Sequence, residues 1–210
     1  MNMIDNLKYE KELYKKGYKF IAGVDEVGRG PLVGPVLACA VILPINYQLE
    51  GLTDSKKLSI KKREELCQII KKDALSIGIG LVSPQEIDKI NILEASKKAM
   101  KLAIADLNIN PDYVLIDAIK LDLDIPSLSI IKGDLKSISI SAASIVAKVT
   151  RDQIMDELGC KYPQYDYEHN KGYPTKKHLE NISKYGVHEH YRFTFKPISD
   201  LINKGDKNDL

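Results

Sequence analysis

The sequence is poor in cysteine, has no marked excess of charge of either sign and lacks an apolar run long enough to cross a membrane. Its three cysteines, Cys39, Cys67 and Cys160, are odd in number and do not have the spacing of metal ligands. This argues against a disulfide framework and for a reducing compartment. The net charge of +2 over 210 residues does not by itself indicate a nucleic-acid-binding protein, so any basic surface must arise from local clustering.

No stretch reads as a secretion signal or a membrane span. Residues 1–20 lack the charged, apolar and small-residue regions of a signal peptide. Residues 30–49 are uncharged, but three prolines interrupt them and their unbroken apolar part is only residues 36–43. That is the length of a buried strand rather than of a span. We therefore expect a cytoplasmic protein that does not associate with membranes.

The apolar patterns that are present indicate one mixed α/β domain around a central sheet. Strands are predicted at residues 18–25, 36–43, 74–82, 113–118 and 127–133. Helices are predicted at residues 60–72, from 84 to about 107 in one or two pieces, and from about 137 to 158. The core is large enough for the chain to fold alone, since 44% of its residues are hydrophobic.

The composition changes after residue 158, where all four histidines and a group of tyrosines occur. We predict that residues 1–158 form the α/β domain with a short N-terminal helix, and that residues 159–200 form a helical extension packed against it. Residues 201–210 are predicted to be a disordered tail.

Four acidic residues lie at or just beyond the ends of predicted strands: Asp25, Glu26, Asp117 and Asp134. The functional crevice of an open α/β sheet lies beyond the carboxyl ends of its strands, so these carboxylates could converge at one edge. Carboxylates without histidine or cysteine suit hard cations such as Mg²⁺ or Mn²⁺. Two such ions would activate a water and stabilise the leaving oxygen of a phosphodiester.

Two of these acidic positions have a plainer alternative. Asp134 could instead cap the following helix. Asp117 could instead be a turn residue at the end of its strand. It follows four apolar residues, however, and no lysine or arginine comes before Lys120, so it would be half-buried and unpaired. That is costly unless a cation is present. A rival pair, Asp122 and Asp124, alternates with apolar residues and is expected on a solvated strand face.

The segment GVDEVGRGPLVGP places Arg29 between Gly28 and Gly30, directly after the first acidic pair. Glycines let the backbone approach a ligand closely. A Gly-x-Gly after a strand also occurs in dinucleotide-binding loops. That interpretation is weak, because the third glycine is out of place and a strand rather than a helix follows.

One face of the long predicted helix carries small hydroxyls followed by cations. Its members, at steps of four and three, are Ser137, Ser141, Ser144, Lys148 and Arg151. Such a face would let a phosphate backbone approach closely. The alternative is an ordinary exposed face, for which serine is a poor helix former. Asp152 is expected to pair with Arg151 or a lysine.

In the segment NKGYPTKKHLE, Thr175 can cap a helix whose first turn holds Lys176 and Lys177. Cations there oppose the helix dipole unless an anion such as phosphate docks at that end. Tyr173 could stack on a sugar or base, or be a packing residue.

Taken together, these motifs resemble the type 2 ribonucleases H, specifically bacterial ribonuclease HII. The resemblance runs from about residue 20 to residue 197 and rests on six segments in order: GVDEVGRGPLVGPV, TDSKKLS, YVLIDA, KGDLKS, SAASIVAKVTRD and NKGYPTKKHL. Six matches in sequence are highly specific. One departure is Ala118, where many relatives have glycine, and we do not expect it to disturb the neighbouring ligand.

The resemblance implies an RNase H-like mixed five-stranded sheet flanked by helices, with a C-terminal helical extension that binds substrate. It implies a metal-dependent endonuclease, using Mn²⁺ or Mg²⁺, that hydrolyses RNA in RNA/DNA hybrids. It also implies cutting on the 5′ side of single ribonucleotides in duplex DNA, with 5′-phosphate and 3′-hydroxyl ends, as in ribonucleotide excision. We expect a cytoplasmic monomer whose partners are these duplexes. The open alternatives are another RNase H-fold nuclease acting on DNA, such as a resolvase, and a non-catalytic hybrid-binding protein.

By position, the resemblance assigns metal binding and catalysis to Asp25, Glu26, Asp117 and Asp134. It implies that the Gly-Arg-Gly turn contacts the ribose 2′-hydroxyl. It also implies that the tyrosine of the NKGYPT segment packs against the sugar beyond the cleaved junction. The substrate contacts that it implies are Gly28, Arg29, Gly30, Ser55, Lys56, Ser141, Lys148, Lys171, Tyr173 and Thr175.

Overall fold

The computed structural model describes residues 6–52 and 58–205 and contains one five-stranded mixed sheet. Its strands, in the order β3-β2-β1-β4-β5, are β1 (Ile21–Val27), β2 (Val36–Ile42), β3 (Ser76–Val82), β4 (Tyr113–Asp117) and β5 (Ser127–Ile130). The β1-β2 and β2-β3 pairs are antiparallel, whereas the β1-β4 and β4-β5 pairs are parallel. The predicted fold class is confirmed.

Helices cover both faces of this sheet. The helices of the described residues are α1 (Lys8–Lys15), α2 (Ile60–Asp73), α3 (Pro84–Ile90), α4 (Ile92–Ala105), α5 (Ile138–Lys161), α6 (Tyr167–Asn170), α7 (Lys176–Tyr185) and α8 (Ile198–Gly205), of which α4 and α5 pack on opposite faces of the sheet. The segment from 84 to 105 is two helices because Asn91 has a φ of 67°; its side chain caps α4 by accepting from the N–H groups of Leu93 and Glu94. Within residues 6–52 and 58–205, no helix is both long enough and apolar enough to cross a bilayer.

Glycines set how closely the two central helices lie on the sheet. A Cβ on Gly80 of β3 would lie 1.9 Å from the carbonyl oxygen of Ala99 in α4. A Cβ on Gly23 of β1 would lie 2.0 Å from the carbonyl carbon of Ser139 in α5. Side chains alternate across a strand, so the face of β1 that contains Gly23 and Asp25 is the face covered by α5.

The first strand begins and ends later than predicted, at Ile21 and Val27, so Asp25 is not its last residue. Antiparallel pairing with β2 continues to the pair Val27 and Leu37. Parallel pairing with β4 stops earlier, at Val24 and Ile116. Asp25 therefore lies where β1 stops pairing with β4 but still pairs with β2.

Other boundaries also shifted. The fifth strand ends at Ile130 rather than residue 133, because Lys132 adopts a φ of 56° and a 3₁₀ turn follows at Gly133–Leu135. Ser137 is the N-cap of α5, and that helix extends to Lys161, beyond the predicted residue 158. The division of the chain at residue 158 therefore falls inside a continuous helix and stays a prediction.

Two further predictions were wrong in detail. Helix α8 covers Ile198–Gly205, so the first part of the predicted disordered tail is helical. Asp122 and Asp124 are exposed, as expected, but they lie in the connection between β4 and β5 and not on a strand.

The N-terminal helix is attached to the start of α5 through a buried carboxylate. Glu10 Oε1 accepts hydrogen bonds from the Ser137 hydroxyl at 2.6 Å and from the Ser139 N–H at 3.1 Å. Burial raises the pKa of Glu10. Asn6 contributes a further bond, its carbonyl accepting from the N–H of Ile138 at 2.7 Å. The segment before β1 thus holds the chain just after Asp134.

The C-terminal helices pack against the loop 28–35 between β1 and β2. Leu32 and Val33 belong to the same apolar cluster as Met155, Tyr165, Tyr167, Ile182, Tyr191 and Ile198. Val33 also forms an isolated antiparallel bridge with Tyr191. The loop that contains the Gly-Arg-Gly turn is therefore held between the sheet and the C-terminal helices.

Candidate active site

Two neighbouring strands bring Asp25, Glu26 and Asp117 together at one edge of the sheet, and the turn that contains Asp134 lies beside them. Strands β1 and β4 are parallel, and Val24 pairs with Ile116. The next residue on each strand, Asp25 and Asp117, therefore lies beside the other. The N–H of Gly133 donates to Asp117 Oδ1 at 2.7 Å. This bond places the turn that contains Asp134 beside the Asp117 carboxylate.

Asp25 is the most buried of these acids, with 7% of its surface exposed. Its Oδ1 accepts the backbone N–H of Glu26 at 2.8 Å, and it is also hydrogen-bonded to Ser144 of α5. Burial raises the pKa of Asp25 well above its ordinary value, and the charges of Glu26 and Asp117 raise it further. The site thus places carboxyl groups close enough together that each disfavours the ionisation of its neighbours.

Glu26 has the clearest unmet requirement. Burial raises its pKa, the nearby Arg29 opposes that rise, and the charge of Asp117 adds to it. Arg29 Nη1 lies 3.3 Å from Glu26 Oε1. The other carboxylate oxygen, Oε2, is buried and has no hydrogen-bond partner among the described residues. An unsatisfied carboxylate oxygen beside two further acids fits a bound divalent cation, which would supply the missing partner and neutralise the repulsion.

Asp134 is half-buried within the 3₁₀ turn Gly133–Leu135. The alternative that it caps α5 is excluded, because Ser137 is the N-cap and its side chain accepts the N–H of Ile140. The position of Asp134 next to Gly133 leaves it able to join the acidic group.

The Gly-Arg-Gly turn lies next to these acids and beneath an aromatic ring. Gly28 has a φ of 90°, and a Cβ there would lie 2.2 Å from Nε of Arg151, so no other residue fits. A Cβ on Gly30 would meet Cε1 of Tyr173 at 3.4 Å. Tyr173 is 41% exposed. Two motifs far apart in sequence therefore form one surface, with backbone on one side and a tyrosine ring on the other.

The basic and hydroxyl residues near this surface already have partners. Lys148 Nζ contacts Asp152 Oδ1 at 2.7 Å, so the expected partner of Asp152 is a lysine. Lys171 pairs with Asp156. Thr175 caps α7 by accepting the N–H of His178 at 3.2 Å, as predicted.

The predicted phosphate-approach surface along α5 is wrong. Its serines and arginine are buried: Ser137 is 0%, Ser141 1%, Ser144 9% and Arg151 0% exposed. Small side chains are needed there because α5 lies directly on β1, where Gly23 leaves no space. Ser141 therefore does not face solvent, and within this row only Lys148 stays partly exposed. Ser55 and Lys56 lie outside the described residues.

Sequence reasoning missed one of the two arginines that hold the loop 28–35 and misassigned the other. Arg192 donates to the carbonyl oxygens of Gly28 at 2.6 Å, Arg29 at 3.0 Å and Gly34 at 2.9 Å. A second arginine, Arg151, was assigned to the wrong role; it donates to the carbonyls of Val33 at 3.1 Å, Pro35 at 3.2 Å and Lys171 at 3.1 Å. The only signal for Arg192 was an arginine placed among aromatic and apolar residues in the segment HYRFTF.

Solved structures share this architecture. The ribonuclease H2 of Pyrococcus horikoshii OT3 matches with a TM-score of 0.76 and 28% identity, covering 90% of this chain and 99% of that one. RNase HII from Archaeoglobus fulgidus, solved in a PCNA:RNase HII complex, has the same fold with a TM-score of 0.70 and 24% identity, covering 84% and 95%. Bst-RNase HIII, solved in complex with Mn²⁺, matches in fold with a TM-score of 0.65 at 15% identity, covering 90% and 71%. The fold and its acidic edge define an RNase H-like nuclease.

Sequence comparison identifies the family. The family model for Ribonuclease HII matches residues 22–198. Ribonuclease HII of Bacillus mycoides (strain KBAB4) is 58% identical over 197 residues, covering 94% of this chain and 77% of the relative. That of Bacillus thuringiensis (strain Al Hakam) is 60% identical with the same coverage. The chain belongs to the ribonuclease HII family.

Family membership establishes the reaction. The chain is a ribonuclease H, an endonuclease that hydrolyses the RNA of RNA/DNA hybrids and cleaves at ribonucleotides within DNA. The alternatives of a DNA resolvase and of a non-catalytic binding protein are therefore excluded.

Proposed function

We propose that Asp25, Glu26, Asp117 and Asp134 hold divalent metal ions, Mg²⁺ or Mn²⁺, at which the phosphodiester is cut. The observation that carries this proposal is the buried Oε2 of Glu26, which lies beside two other carboxylates and has no hydrogen-bond partner among the residues that the structure describes. The raised pKa of Asp25 supports it, because a cation would remove the repulsion that raises it. The Mn²⁺ complex of Bst-RNase HIII, which shares the fold, is consistent with this choice of metals.

When bound, such ions supply an activated water and stabilise charge on the leaving oxygen. The residues of the chain contribute a fixed geometry. The Glu26 N–H and Ser144 orient Asp25, and the Gly133 N–H orients Asp117. Because these partners belong to a strand, a helix and a tight turn, the carboxylates need little rearrangement when the metal binds.

We further propose that the Gly-Arg-Gly turn reads the ribose. Arg29 and Gly30 are exposed next to Glu26, so a sugar placed over the turn brings its neighbouring phosphate to the acidic group. The 2′-hydroxyl is the group that distinguishes RNA from DNA at such a position. Tyr173, whose ring lies over Gly30, would pack against the next sugar. As the resemblance to ribonuclease HII implies, the proposed cut is on the 5′ side of the ribonucleotide and leaves 5′-phosphate and 3′-hydroxyl ends.

The remaining contacts in the proposal are to phosphates along the strand. Lys148 and Lys171 would exchange their present carboxylate partners for phosphate oxygens. Thr175, at the start of α7, offers a hydroxyl and a helix N-terminus. Ser55 and Lys56 remain in the proposal on the resemblance alone. We propose that the enzyme acts on these duplexes as a monomer in the cytoplasm.

A gel assay tests the proposal with two matched DNA duplexes, one of which carries a single ribonucleotide. We expect one cut, on the 5′ side of the ribonucleotide, that requires Mg²⁺ or Mn²⁺ and stops in EDTA. The all-DNA duplex should stay intact. Undiminished cleavage in EDTA would refute the metal site, and a cut on the 3′ side would refute the proposed placement of the sugar.

A further inference from the structure

Arg192 occupies an unusual position for a charged residue. Its side chain is 0% exposed, and it lies beneath the loop 28–35. Its hydrogen-bond partners in this loop are carbonyl oxygens, and no ion pair to a carboxylate forms within the described part of the chain. Burial and the charge of Arg151 lower the pKa of Arg192 to about 9. A buried cation that makes no ion pair with the described residues is a poor way to stabilise a fold, so the carbonyls that it binds point to a further reason for its presence.

The reason lies in which carbonyls it holds. In a trans peptide the C=O and the following N–H point in opposite directions. Arg192 fixes the orientation of two consecutive peptides, because it donates to the carbonyls of Gly28 and Arg29 at 2.6 Å and 3.0 Å. The N–H groups of those same peptides, which belong to Arg29 and Gly30, are therefore turned away from Arg192. Neither N–H has a hydrogen-bond partner among the residues that the structure describes.

The two N–H groups are in a suitable place to meet a ligand. Gly28 is buried, whereas Arg29 and Gly30 are exposed. The Tyr173 ring lies over Gly30, and the Arg29 side chain contacts Glu26 of the acidic group. Two backbone donors, located between an aromatic ring and a carboxylate, match an oxygen acceptor on a sugar.

We infer that Arg192 is a positioning residue for ribonucleotide selection: it orients the N–H groups of Arg29 and Gly30 toward the ribose without touching the substrate. The inference rests on the proposed function, in which this turn contacts the 2′-hydroxyl. Lysine cannot replace the guanidinium, because a single ammonium lacks the planar fork that reaches three carbonyls at once.

The test compares Arg192→Lys with the control Tyr167→Phe. Tyr167 is buried in the same C-terminal cluster, and its hydroxyl bonds to His188 at 2.7 Å and Tyr191 at 3.1 Å, but it makes no hydrogen bond to the described residues of the turn. Thermal melting gives the stability of each variant. Fluorescence anisotropy in EDTA, where the duplexes should stay uncut, gives the ratio of affinities for the ribonucleotide-containing and all-DNA duplexes. Cleavage below the melting range gives kcat/KM.

For Arg192→Lys we expect the affinity ratio to fall by about tenfold, the effect of one or two lost hydrogen bonds. We expect kcat/KM on the ribonucleotide substrate to fall by about 100-fold, as for a displaced reactive group. Tyr167→Phe should keep both values even if it melts at a lower temperature. If Arg192→Lys does not melt cooperatively, the neutral Arg192→Gln variant replaces it.

Three results would overturn the inference. The first is that Arg192→Lys keeps the wild-type affinity ratio and kcat/KM. The second is that Tyr167→Phe, at an equal shift of melting temperature, loses as much of both values as Arg192→Lys does. The third is that neither Arg192 variant folds, which would make the residue purely structural. If the wild-type enzyme binds both duplexes equally, the proposed contact of the turn with the ribose is wrong. This outcome differs from one in which only the role of Arg192 is wrong, because it is seen without any substitution.

Discussion

Replacing Asp25 by asparagine should make the metal-free enzyme more stable and nearly inactive. Asparagine has the same shape, and its Oδ1 can still accept the Glu26 N–H that lies 2.8 Å from Asp25. The substitution removes one negative charge from a site where burial, Glu26 and Asp117 all raise the pKa of Asp25. The perturbation is therefore electrostatic and leaves the packing of α5 on β1 intact.

The magnitude follows from the burial of the charge. A carboxylate that is buried beside other acids without a compensating cation costs the folded state a few kcal/mol. We therefore expect Asp25→Asn to raise the free energy of unfolding in EDTA by roughly 1 to 3 kcal/mol. For a chain of this size, each kcal/mol raises the melting temperature by about 2 to 4 °C. Loss of a metal ligand should cost about 4 kcal/mol in the transition state, a decrease in rate of about 1,000-fold.

Two measurements on the same samples decide the matter: thermal melts with and without Mn²⁺, and cleavage of the duplex with one ribonucleotide. Wild type should be stabilised by Mn²⁺ more than Asp25→Asn. Asp122→Asn is a suitable control, because Asp122 is exposed in the connection after β4 and should change neither quantity. Wild-type turnover by Asp25→Asn, or a melting temperature in EDTA below that of wild type, would refute the reasoning.

Three further outcomes follow from the same structure. In EDTA, wild type should lose stability as pH rises through the raised pKa of Asp25, because the folded state favours the protonated carboxyl; melts that rise with pH over that range would contradict this. Gly80→Ala should lower the free energy of unfolding in urea by about 3 kcal/mol or more, since its Cβ would lie 1.9 Å from a carbonyl oxygen of α4. Gly159→Ala, whose Cβ would lie 3.3 Å from the backbone nitrogen of Glu168, should cost much less. Tyr173→Ala should change stability by less than about 0.5 kcal/mol yet slow cutting at single ribonucleotides, and an equal loss of both would make it a packing residue.

The acidic edge could be predicted from the sequence because strand ends are marked by composition. An apolar run that stops at Asp117, and another that runs up to Asp25, need no tertiary information to be noticed. What composition could not show is that β2 continues to pair beyond Asp25 while β4 does not. Pairing partners are long-range, so the exact end of β1 was beyond local reasoning.

The serine row on α5 was misinterpreted for a physical reason. A row of small residues at helical spacing looks the same whether it faces phosphate or lies against a sheet. The discriminating residue was Gly23, since a glycine inside a buried strand implies that another backbone approaches closely. The role of Arg192 was even harder to infer from the sequence, because its three carbonyl partners lie about 160 positions earlier in the chain.

That separation has a consequence for synthesis. The sheet strands and all four acidic residues lie within the first 134 positions, whereas the guanidinium that shapes the turn arrives only at position 192. A chain growing from its N-terminus can therefore assemble an acidic edge long before it can complete its selectivity. On our inference, the segment that contains Arg192 gives the enzyme its selectivity for ribonucleotides. This segment leaves the ribosome well after the strands of the sheet.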